Sequence, residues 1–486
     1  MKNGMVYFVG AGPGDPELLT IKGKRVLQTA DVVIFDRLVN PILLTEVRDG
    51  AKLVYCGKQP CQHFLRQEDI QKELVIHARK GKKVVRLKGG DPAVFGRVGE
   101  EAELLSENHI DYEIIPGITS GIAAPLYAGV TVTHREHSRS FAVVSGHGKD
   151  GEPEANWESL AKSVDTVVFY MGVRYLRMIT DKLIKTGKDK HTAVLVIQWG
   201  TFSKQRTVEG TLATIANQIE QEGIKNPAII IVGNVIKLRK KLQWFDNRLF
   251  SGKGILFPSK NNGNKELIEL LRHKGADVYL HPSTVESTLI ENDNYLAKLN
   301  HIQMYKKMLF LSKESVKEFI KGLVHYGFDL RMVQATFYAA NDEVIEALQL
   351  FGCQAILSTE LGKWEKVLIV GGENEYEEYS FESQPFLLTH TQVVPSNEVE
   401  AFTRLVEEGH VNTLILTSKI EVSCFIKVLD ASKLNWEDLS KLQVICKGYE
   451  TASALGEVGL NVTMLETDQQ LLDSLVNCIR FVQESS

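Results

Sequence analysis

Short runs of β-branched and aromatic residues alternate with amphipathic stretches from Met5 to about Val235. The runs are MVYFVGAG, DVVIFD, KLVYCG, KKVVRLKGG, YEIIPG, FAVVSGHG, TVVFYMG, AVLVIQWG and AIIIVGN, and each ends at glycine or a polar residue. Runs that are apolar at almost every position are typical of strands covered by helices on both faces. The pattern predicts an α/β fold whose glycines lie mostly at strand ends, where ligands bind to such sheets.

The periodicity lapses at Leu242–Lys253, where LQWFDNRLFSGK mixes aromatic residues with Asn, Gly and Ser. We place a domain boundary there and expect few contacts to cross it. A chain of 486 residues is also too long for one compact core. We therefore predict two subdomains, 1–113 and 114–247, followed by a further domain at 254–486.

A weak internal repeat lies beyond the boundary. SKESVKEFIKGL (Ser312–Leu323) resembles SKIEVSCFIKVL (Ser418–Leu429), and NDEVIEALQLFG (Asn341–Gly352) can be aligned with GYETASALGEVG (Gly448–Gly459). Each copy then reads as a strand, a helix, a further strand and a second helix. The repeat predicts a bilobed α/β domain with a cleft. Chance similarity between amphipathic helices is the alternative.

Composition excludes several classes of protein. Hydrophobic residues make up 44% of the chain and charged residues 24%, as in ordinary globular proteins. No apolar run is long enough to span a bilayer, and the N-terminus lacks the features of a secretory signal, so we expect a cytoplasmic protein. A net charge of -5 argues against nucleic acid as a partner. The six cysteines lack the spacing of a zinc site, and we expect them to be reduced, with no bound metal.

The first glycine-rich motif is VGAGPGDPELLTIKG, from Val9 to Gly23. It does not fit a dinucleotide fingerprint, because after Gly10 and Gly12 the third glycine would fall at Asp15. Pro13 also removes a backbone N–H from the loop. The segment predicts a tight turn between a strand and a helix that lets backbone approach a flat or neutral ligand. Alone, it would equally fit a purely structural turn.

Further motifs occur in a fixed order. They are RLKGGDPAVFGR (Arg86–Arg97), IIPGITSG (Ile114–Gly121), VTHREHSRS (Val132–Ser140), FYMG (Phe169–Gly172), QWGT (Gln198–Thr201) and NPAIIIVGNV (Asn226–Val235). Together with FDRLV and YCGK, this set resembles the uroporphyrinogen-III C-methyltransferases, a group of tetrapyrrole methylases. The resemblance covers roughly the first half of the chain. The combination of FDRLV, YCGK, RLKGGDP and THR carries most of its specificity.

The resemblance implies two α/β domains that meet at a cleft, with a folded S-adenosylmethionine between them and S-adenosylhomocysteine as its product. Carried over by position, the cofactor-binding residues are Pro13, Gly89, Gly90, Asp91, Val94, Thr119, Ser120, Met171, Gly200 and Ala228. Glycine turns would let main-chain groups bond the cofactor, and Met171 offers a polarisable apolar surface. Without the resemblance, Met171 would be interpreted as a core residue.

Two residues match proposed catalytic groups of the family. Alkylation of a pyrrole carbon leaves cationic character that is relieved by loss of a proton, so a carboxylate near the ring is the expected helper. Asp36, in VIFDRLV, matches the general base, although an aspartate that ends a strand commonly caps the next turn. Lys58, in YCGKQP, matches the proton donor, and we favour a carboxylate clamp or an electrostatic role for it.

The implied substrate, uroporphyrinogen III, carries eight carboxylates, so cations should line the open side of the cleft. The candidates are Arg37, Arg97, His134, Arg135 and Arg139. A structural ion pair is the alternative for each. The resemblance further implies methylation at C2 and C7 to give precorrin-2, for siroheme or cobalamin synthesis, by a homodimer.

From about Gly254 the chain resembles uroporphyrinogen-III synthase, through ILFPSKNNGNKELIELLRHKGADVYLHP, KMLFLSKESVKEFI and LILTSKIEVSCFIKVL. KGYETASAL keeps Thr451 of that family's pattern, whereas the first copy has Asn341 and Val344 in the corresponding places. FLLTHTQVVP offers Thr389 where a tyrosine is expected. An active synthase and a catalytically inactive tetrapyrrole-binding or assembly domain both fit.

Two other functions remain for the first half. One is a methylase that acts on a later cobalamin precursor, and FDRLV with YCGK favours uroporphyrinogen III over it. The other is a tetrapyrrole carrier without turnover. A carrier does not need Asp36, Lys58 or a sulfonium pocket, so their presence favours the enzyme.

Overall fold

The computed structural model describes residues 3–57, 67–148, 151–258, 265–360, 367–379, 384–456, 462–467, 470 and 472–475. Contacts between Cα atoms divide the chain into two compact units. Unit one comprises Met1–Ser283 and Ser396–Ser486, and unit two comprises Thr284–Pro395.

The first sheet of unit one is parallel throughout. Its strands are β1 (Val6–Gly10), β2 (Val32–Phe35), β3 (Lys52–Tyr55), β4 (Val84–Lys88) and β5 (Tyr112–Ile115), in the order β3-β2-β4-β1-β5. Its helices are α1 (Ile21–Leu27), α2 (Gln67–Arg79) and α3 (Val98–Glu107), with 3-10 turns at Pro16–Leu18 and Pro41–Glu46. The next helix, α4 (Ser120–Tyr127), packs against strands of the second sheet. Because the strands are parallel, all their carboxyl ends lie at one edge.

The second sheet of unit one is mixed. Its strands are β6 (Phe141–Ser145), β7 (Thr166–Tyr170), β8 (Ala193–Gln198), β9 (Arg206–Thr211) and β10 (Ala228–Val232), in the order β6-β7-β10-β8-β9. Its helices are α5 (Trp157–Ser163), α6 (Leu176–Lys185), α7 (Ile215–Gln221) and α8 (Arg239–Leu242), with 3-10 turns at Val173–Tyr175 and Asn234–Leu238. β6 and β7 are parallel, and the remaining pairs are antiparallel.

The remaining elements form two more five-stranded sheets. In chain order they are β11 (Gly254–Phe257), α9 (Lys265–His273), β12 (Asp277–Leu280), β13 (Val285–Thr288), α10 (Asp293–Asn300), β14 (Lys307–Phe310), α11 (Lys313–His325), β15 (Thr336–Ala339), α12 (Asp342–Gln349), β16 (Ala355–Leu357), β17 (Val367–Gly371), α13 (Glu373–Tyr379), β18 (Phe386–Leu388), β19 (His390–Val393), α14 (Ser396–Glu407), β20 (Thr413–Leu416), α15 (Lys419–Ala431), β21 (Gln443–Lys447), α16 (Tyr449–Gly456) and β22 (Thr463–Leu465), with 3-10 turns at Ile302–Met304, Leu330–Met332 and Ser358–Glu360. Unit one holds the sheet β12-β11-β20-β21-β22. Unit two holds the sheet β16-β15-β14-β17-β18 and the antiparallel pair β13-β19.

The internal repeat corresponds to one topology used twice. β14 is the central strand of its sheet, and β20 is the central strand of the other. Each is followed by a helix whose first turn is capped by a serine: Ser312 accepts from the N–H of Ser315, and Ser418 from the N–H of Glu421. The predicted repeat and the predicted two-lobed α/β architecture are therefore confirmed.

The segment Leu242–Lys253 holds no strand between α8 and β11, as its lapse of periodicity predicts. Contacts nevertheless cross it, which contradicts the expectation of few. α14 packs against the 3-10 turn Pro41–Glu46, and Ala401 lies in the same apolar cluster as side chains of β1 and β2. The domain limits 1–113, 114–247 and 254–486 stay predictions.

Most of the described cysteines are buried. They are Cys56, Cys353, Cys424 and Cys446, of which only Cys353 is partly exposed. Burial raises the pKa of the Cys56 thiol to about 11. Cys61 and Cys478 lie outside the described residues. Within the described ranges, no helix has the length and apolar character needed to cross a membrane.

Candidate active site

Glycine-rich turns converge at the carboxyl edge of the first sheet. The turn after β1 and the turn after β4 pair directly, because Gly12 donates to the Gly90 carbonyl (3.2 Å) and Gly90 donates to the Gly12 carbonyl (2.7 Å). A Cβ atom on Gly10 would lie 2.5 Å from the Cα atom of Gly117, at the end of β5. The loops approach one another this closely because glycine stands at these positions.

The second sheet brings three more predicted cofactor residues to a single edge. Ala228 pairs with Gln198 on β8, and Ile229 pairs with Tyr170 on β7. Met171, Gly200 and Ala228 therefore lie together at this edge, although β7 and β8 are separated along the chain by a whole helix.

Hydrogen bonds join the two sheets at these edges. Asp15 donates its N–H to Oγ1 of Thr201 (3.0 Å) and accepts from the Tyr127 hydroxyl (2.9 Å). Thr119 shares a hydrogen bond with the Tyr170 hydroxyl (2.5 Å). The two sheets thus present their predicted cofactor residues to a common region.

Backbone conformations that L residues rarely adopt are concentrated in the same loops. Phe95 (φ 55°), Arg97 (φ 58°), Met171 (φ 57°), Trp199 (φ 50°) and Thr201 (φ 74°) have left-handed backbone. Each costs about 1–3 kcal/mol and persists only where the surroundings enforce it, which is common at functional sites. The strain therefore marks these loops as functional.

Gly90 leaves a space that fits a ligand. It has φ +71°, and a Cβ atom added there would meet only main chain, the Ser120 nitrogen at 3.9 Å and the Thr119 Cα at 4.0 Å. Asp91, beside it, holds the loop, because one carboxylate oxygen accepts from the Ala93 N–H (2.8 Å) and the other from the Gly117 N–H (2.8 Å). We call this space above Gly90, bordered by main-chain atoms of Thr119 and Ser120, the glycine cradle. It suits a ligand that forms hydrogen bonds with backbone groups.

Pro13, Gly89 and Val94 lie in the two paired turns, and Ser120 begins α4. A Cβ atom on Gly89 would lie 2.8 Å from the Cβ of Leu38, and one on Gly200 would lie 2.4 Å from the Cβ of Ala124. At these two glycines, close packing explains the residue type.

Asp36 follows β2 at the carboxyl edge, with its side chain about one-third exposed. One carboxylate oxygen accepts from the Leu38 N–H (3.0 Å), and the other lies 3.4 Å from the Gly89 N–H and 4.0 Å from the Arg86 guanidinium. The carboxylate is thus oriented by its own turn while remaining open to a ligand. This geometry suits a general base.

A buried charge cluster beneath Asp36 was not predicted from the sequence. Lys88 donates to both oxygens of Glu101 (2.9 and 2.8 Å), and the Arg86 Nε lies 3.6 Å from the same carboxylate. All three residues are at most 4% exposed. Burial lowers the pKa of Lys88, and the adjacent Arg86 lowers it further. The available signal was RLK, two cations on one face of an otherwise apolar strand.

The predicted cations of the first sheet differ in how free they are. Arg37 is exposed and forms no ion pair with any described residue. Arg97 is exposed but already bound to Glu100, through Nε at 2.9 Å and Nη2 at 2.5 Å. Both lie at the edge that carries Asp36. Lys58, the predicted proton donor or clamp, lies outside the described residues.

The structure does not bring His134, Arg135 and Arg139 to that edge. The main-chain N–H of Arg139 donates to Asp165, just before β7, whereas Met171 follows the other end of the same strand. His134 and His137 stack on this turn (4.9 Å between ring centroids), and with Glu136 they hold ligating atoms within 4.8 Å of one another. This is the only group of candidate metal ligands in the ranges the structure covers, and the sequence predicted none.

Exposed apolar side chains occur in the loops that also carry the candidate base and cofactor residues. Leu38, Phe95, Ile118 and Met171 are each more than one-third exposed. They belong to the loops that follow β2, β4, β5 and β7. A concentration of exposed apolar residues at strand ends indicates a surface for a large, flat ligand.

Known proteins resemble the chain over different lengths. The profile of the family described as Tetrapyrrole (Corrin/Porphyrin) Methylases matches residues 5–216. A uroporphyrinogen-III C-methyltransferase of Bacillus subtilis (strain 168) is 40% identical over 459 residues, which cover 94% of each chain. One of Priestia megaterium is 57% identical over 234 residues, 48% of this chain and 98% of that relative.

Among solved structures, the uroporphyrin-III C-methyl transferase from Thermus thermophilus complexed with S-adenyl homocysteine is 38% identical. It covers 48% of this chain and 94% of its own, with a TM-score of 0.42.

Proposed function

The chain belongs to the family of uroporphyrinogen-III C-methyltransferases, and from this membership we propose that it methylates pyrrole carbons of uroporphyrinogen III with S-adenosylmethionine. We further propose that two methyl groups are added, at C2 and C7, to give precorrin-2 for siroheme or cobalamin synthesis. Asp36 is the observation that carries the proposal, because its oriented and partly open carboxylate stands beside the glycine cradle.

The cradle would hold the cofactor. Main-chain groups of Gly89 and Gly90, the start of α4 at Thr119 and Ser120, and the opposing Met171 are the candidate contacts. The open space above Gly90 supports this assignment. S-adenosylmethionine supplies an activated methyl group, so the protein needs to align the reactants and move a proton.

Asp36 would perform the proton transfer. As a new bond forms at the pyrrole carbon, that carbon becomes tetrahedral and the ring gains cationic character. This carbon already carries a side chain and has no hydrogen to lose, so the charge is relieved by loss of a proton from another atom of the ring system, and Asp36 would accept that proton. The hydrogen bonds from Leu38 and Gly89 keep the carboxylate pointed toward the same face throughout.

Recognition of the substrate carboxylates would begin with Arg37, the exposed cation next to Asp36. Arg97 would have to exchange Glu100 for a substrate carboxylate, which costs little because that pair is exposed. His134, Arg135, Arg139 and Lys58 stay proposals, the first three at the other end of β7. The exposed apolar loops would cover a face of the macrocycle.

Incubation of the full chain with uroporphyrinogen III and methyl-labelled S-adenosylmethionine tests this proposal. We expect two labelled methyl groups per tetrapyrrole, located by mass spectrometry and NMR. A chain that acts on a later precursor would leave uroporphyrinogen III unlabelled, and a carrier would bind it without transfer.

For residues 254–486 we propose a uroporphyrinogen-III synthase-like domain with reduced or lost activity. Thr389 is fully buried and donates to the Gly371 carbonyl (3.1 Å), and Thr451 is also buried. Neither hydroxyl is therefore offered to a ligand. Supplying hydroxymethylbilane to the full chain tests the proposal: product that is only isomer I supports it, and rapid formation of isomer III contradicts it.

A further inference from the structure

Along the chain α14 directly precedes β20 of the C-terminal sheet, but one face of this helix covers the first half of the chain, called the methylase half below. Asn397, Ala401 and Arg404 are spaced four and three residues apart, so they lie on one side of the helix. Asn397 donates to the carbonyls of Leu44 (3.3 Å) and Val47 (3.0 Å), at the end of the 3-10 turn that follows Asp36. Ala401 is fully buried, in the same apolar cluster as side chains of β1 and β2.

Arg404 contacts residues on both sides of Asp36. Its guanidinium lies over the ring of Phe35, 5.2 Å from the centroid, and over the ring of Tyr55, at 4.9 Å. Its Nη2 donates to the main-chain carbonyl of Arg37 (3.2 Å). Phe35 precedes Asp36 and Arg37 follows it, so one buried side chain holds the turn from both ends.

Burial of the Arg404 guanidinium costs folding free energy, so stability does not by itself explain why an arginine stands here. The side chain is 2% exposed, and burying a cation is unfavourable unless it is paired. Glu408 supplies the pair, accepting from Nε (2.9 Å) and Nη2 (2.7 Å). Nη1 is buried without a hydrogen-bond partner among the described residues. An apolar side chain would fill this space more cheaply, so the charge points to a role in specifying position.

A second anchor joins the end of α14 to the loop that carries Gly200. Lys204 donates to the carbonyls of Glu408 (3.1 Å) and Gly409 (3.2 Å). The same ammonium lies 4.0 Å from the centroid of the Trp199 ring. Trp199 and Lys204 flank Gly200 in the sequence, so this loop is also tied to the segment that holds Arg404.

We propose that Arg404, near the end of α14, and its partner Glu408, just beyond that helix, form a positioning element for methyl transfer, in which Arg404 sets the turn that carries Asp36. This inference rests on the proposed function of the first half. The C-terminal region thereby contributes to turnover in that half whether or not it is a synthase. Arg404 does not act as a catalytic residue; it acts through Asp36. A misplacement of about 1 Å can cost about 100-fold in rate, so the position of this turn matters for the chemistry.

The test uses the full chain with Arg404→Met, which keeps an apolar stem over both rings but cannot donate to Arg37. We expect kcat to fall about 10- to 100-fold, with KM for S-adenosylmethionine unchanged. Arg404→Lys should restore part of the loss. Glu407→Gln, an exposed change on the same helix, is the matched control and should leave kcat unchanged. An unchanged kcat in Arg404→Met overturns the proposal.

A double variant separates positioning from general damage. If Arg404 acts through Asp36, Arg404→Met should cause almost no further loss in an Asp36→Asn background. Multiplicative losses would contradict the inference. Should Arg404→Met fail to fold, Tyr55→Leu removes one of the two rings, and the same non-additivity is expected. Full turnover in Asp36→Asn alone would instead remove Asp36 from the mechanism, whereas absence of methyl transfer by the unaltered chain would refute the proposed function.

Discussion

Single side chains determine whether the candidate site can work, and Asp36 and Gly90 have the most direct roles. Asp36 offers a carboxylate that two N–H groups orient. Gly90 has no side chain, and this leaves open space where the two turns pair. The first is a chemical contribution and the second a steric one, so they should fail in different ways.

Asp36→Asn should lower turnover with uroporphyrinogen III by roughly 10²–10⁴-fold, because the amide keeps the shape but cannot accept the proton. Affinity for S-adenosylmethionine, measured by calorimetry, should be nearly unchanged. Asp49→Asn, an exposed isosteric change in the same subdomain, is the control. Normal turnover in the Asp36 variant would remove this residue from the mechanism.

Gly90→Val should abolish binding of S-adenosylmethionine, since the branched side chain would fill the open cradle. The substitution also introduces strain at φ +71°, about 1–2 kcal/mol. Gly50→Val carries the same strain at φ +75° in open space, and it should bind normally. If both variants bind with equal affinity in calorimetry, the cradle is not the cofactor site.

Sequence patterns located these two residues but not the charges beneath them. Asp36 and Gly90 lie in short sequence motifs, which can be recognised from the adjacent residues in the chain. Arg86 and Lys88 were visible as cations in an apolar strand. Their partner Glu101 lies on α3, an ordinary acidic residue whose complete burial depends on tertiary packing.

At the scale of elements, β4 and α3 share a buried ionic link that supports the Asp36 turn from below. Arg86 and Lys88 project from the strand and Glu101 from the helix, and the strand next to them ends at Asp36. Buried ionic links of this kind tolerate loss of one partner poorly.

Glu101→Gln should destabilise the protein by roughly 3–5 kcal/mol, because Arg86 and Lys88 would remain buried without a compensating charge. Chemical denaturation followed by circular dichroism measures the change. Glu100→Gln alters the adjacent exposed residue, whose pair with Arg97 is at the surface, and should have little effect. Similar effects of both changes would contradict the account of the cluster.

The start of β12 gives a pH-dependent contribution to stability. Asp277 accepts from the Ser203 N–H (2.8 Å), and burial raises its pKa to about 6. The folded state thus binds the proton more tightly than the unfolded state does, so this contribution is present at low pH and is lost as pH rises through 6.

Asp277→Asn should therefore stabilise the protein at pH 7.5, by on the order of 2–3 kcal/mol, and by about half as much at pH 5. The amide oxygen can still accept from Ser203. Thermal unfolding at the two pH values measures the difference, with Asp49→Asn as the surface control. An equal shift at both pH values would show that burial of this carboxyl does not set the pH dependence.

Nearly continuous apolar runs made the central strands readable, and β1, β2, β4, β7, β8 and β10 lie within the predicted runs. β9 was not predicted. Its sequence RTVEGT contains one apolar side chain, Val208, and the strand lies at the edge of the second sheet, where none of its six residues is buried. Edge strands carry a weaker apolar pattern because one side of them meets no neighbour.

At the scale of the whole molecule, only one of the two C-terminal lobes belongs to the same compact unit as the methylase half. The lobe with β11 and β20 shares unit one with it, and unit two is an insertion between Ser283 and Ser396. The lapse in periodicity at Leu242–Lys253 is a local signal, but α14 lies far along the chain from the surface it covers. Contacts over such separations leave no periodic signal in a single sequence.

A chain ending near Arg248 should fold and methylate uroporphyrinogen III, since every candidate site residue precedes that point. The Priestia megaterium uroporphyrinogen-III C-methyltransferase is matched over 98% of its own length by 48% of this chain. Without α14, however, we expect a lower kcat than that of the full chain. Equal kcat values in parallel assays would show that the C-terminal region is not needed for turnover, and an insoluble product would refute modular folding.

The insertion of unit two also sets the order in which the protein is completed on the ribosome. The methylase half emerges first, but α14 emerges only after the whole of Thr284–Pro395 has been synthesised. At about 5–20 residues per second, the chain from Tyr55 to Arg404 takes roughly 20–70 seconds to synthesise. During that time the rings of Phe35 and Tyr55 lack the Arg404 guanidinium that lies over them in the folded chain. On the proposed role of Arg404, methyl transfer by the nascent chain therefore stays below its full rate until this residue has been added.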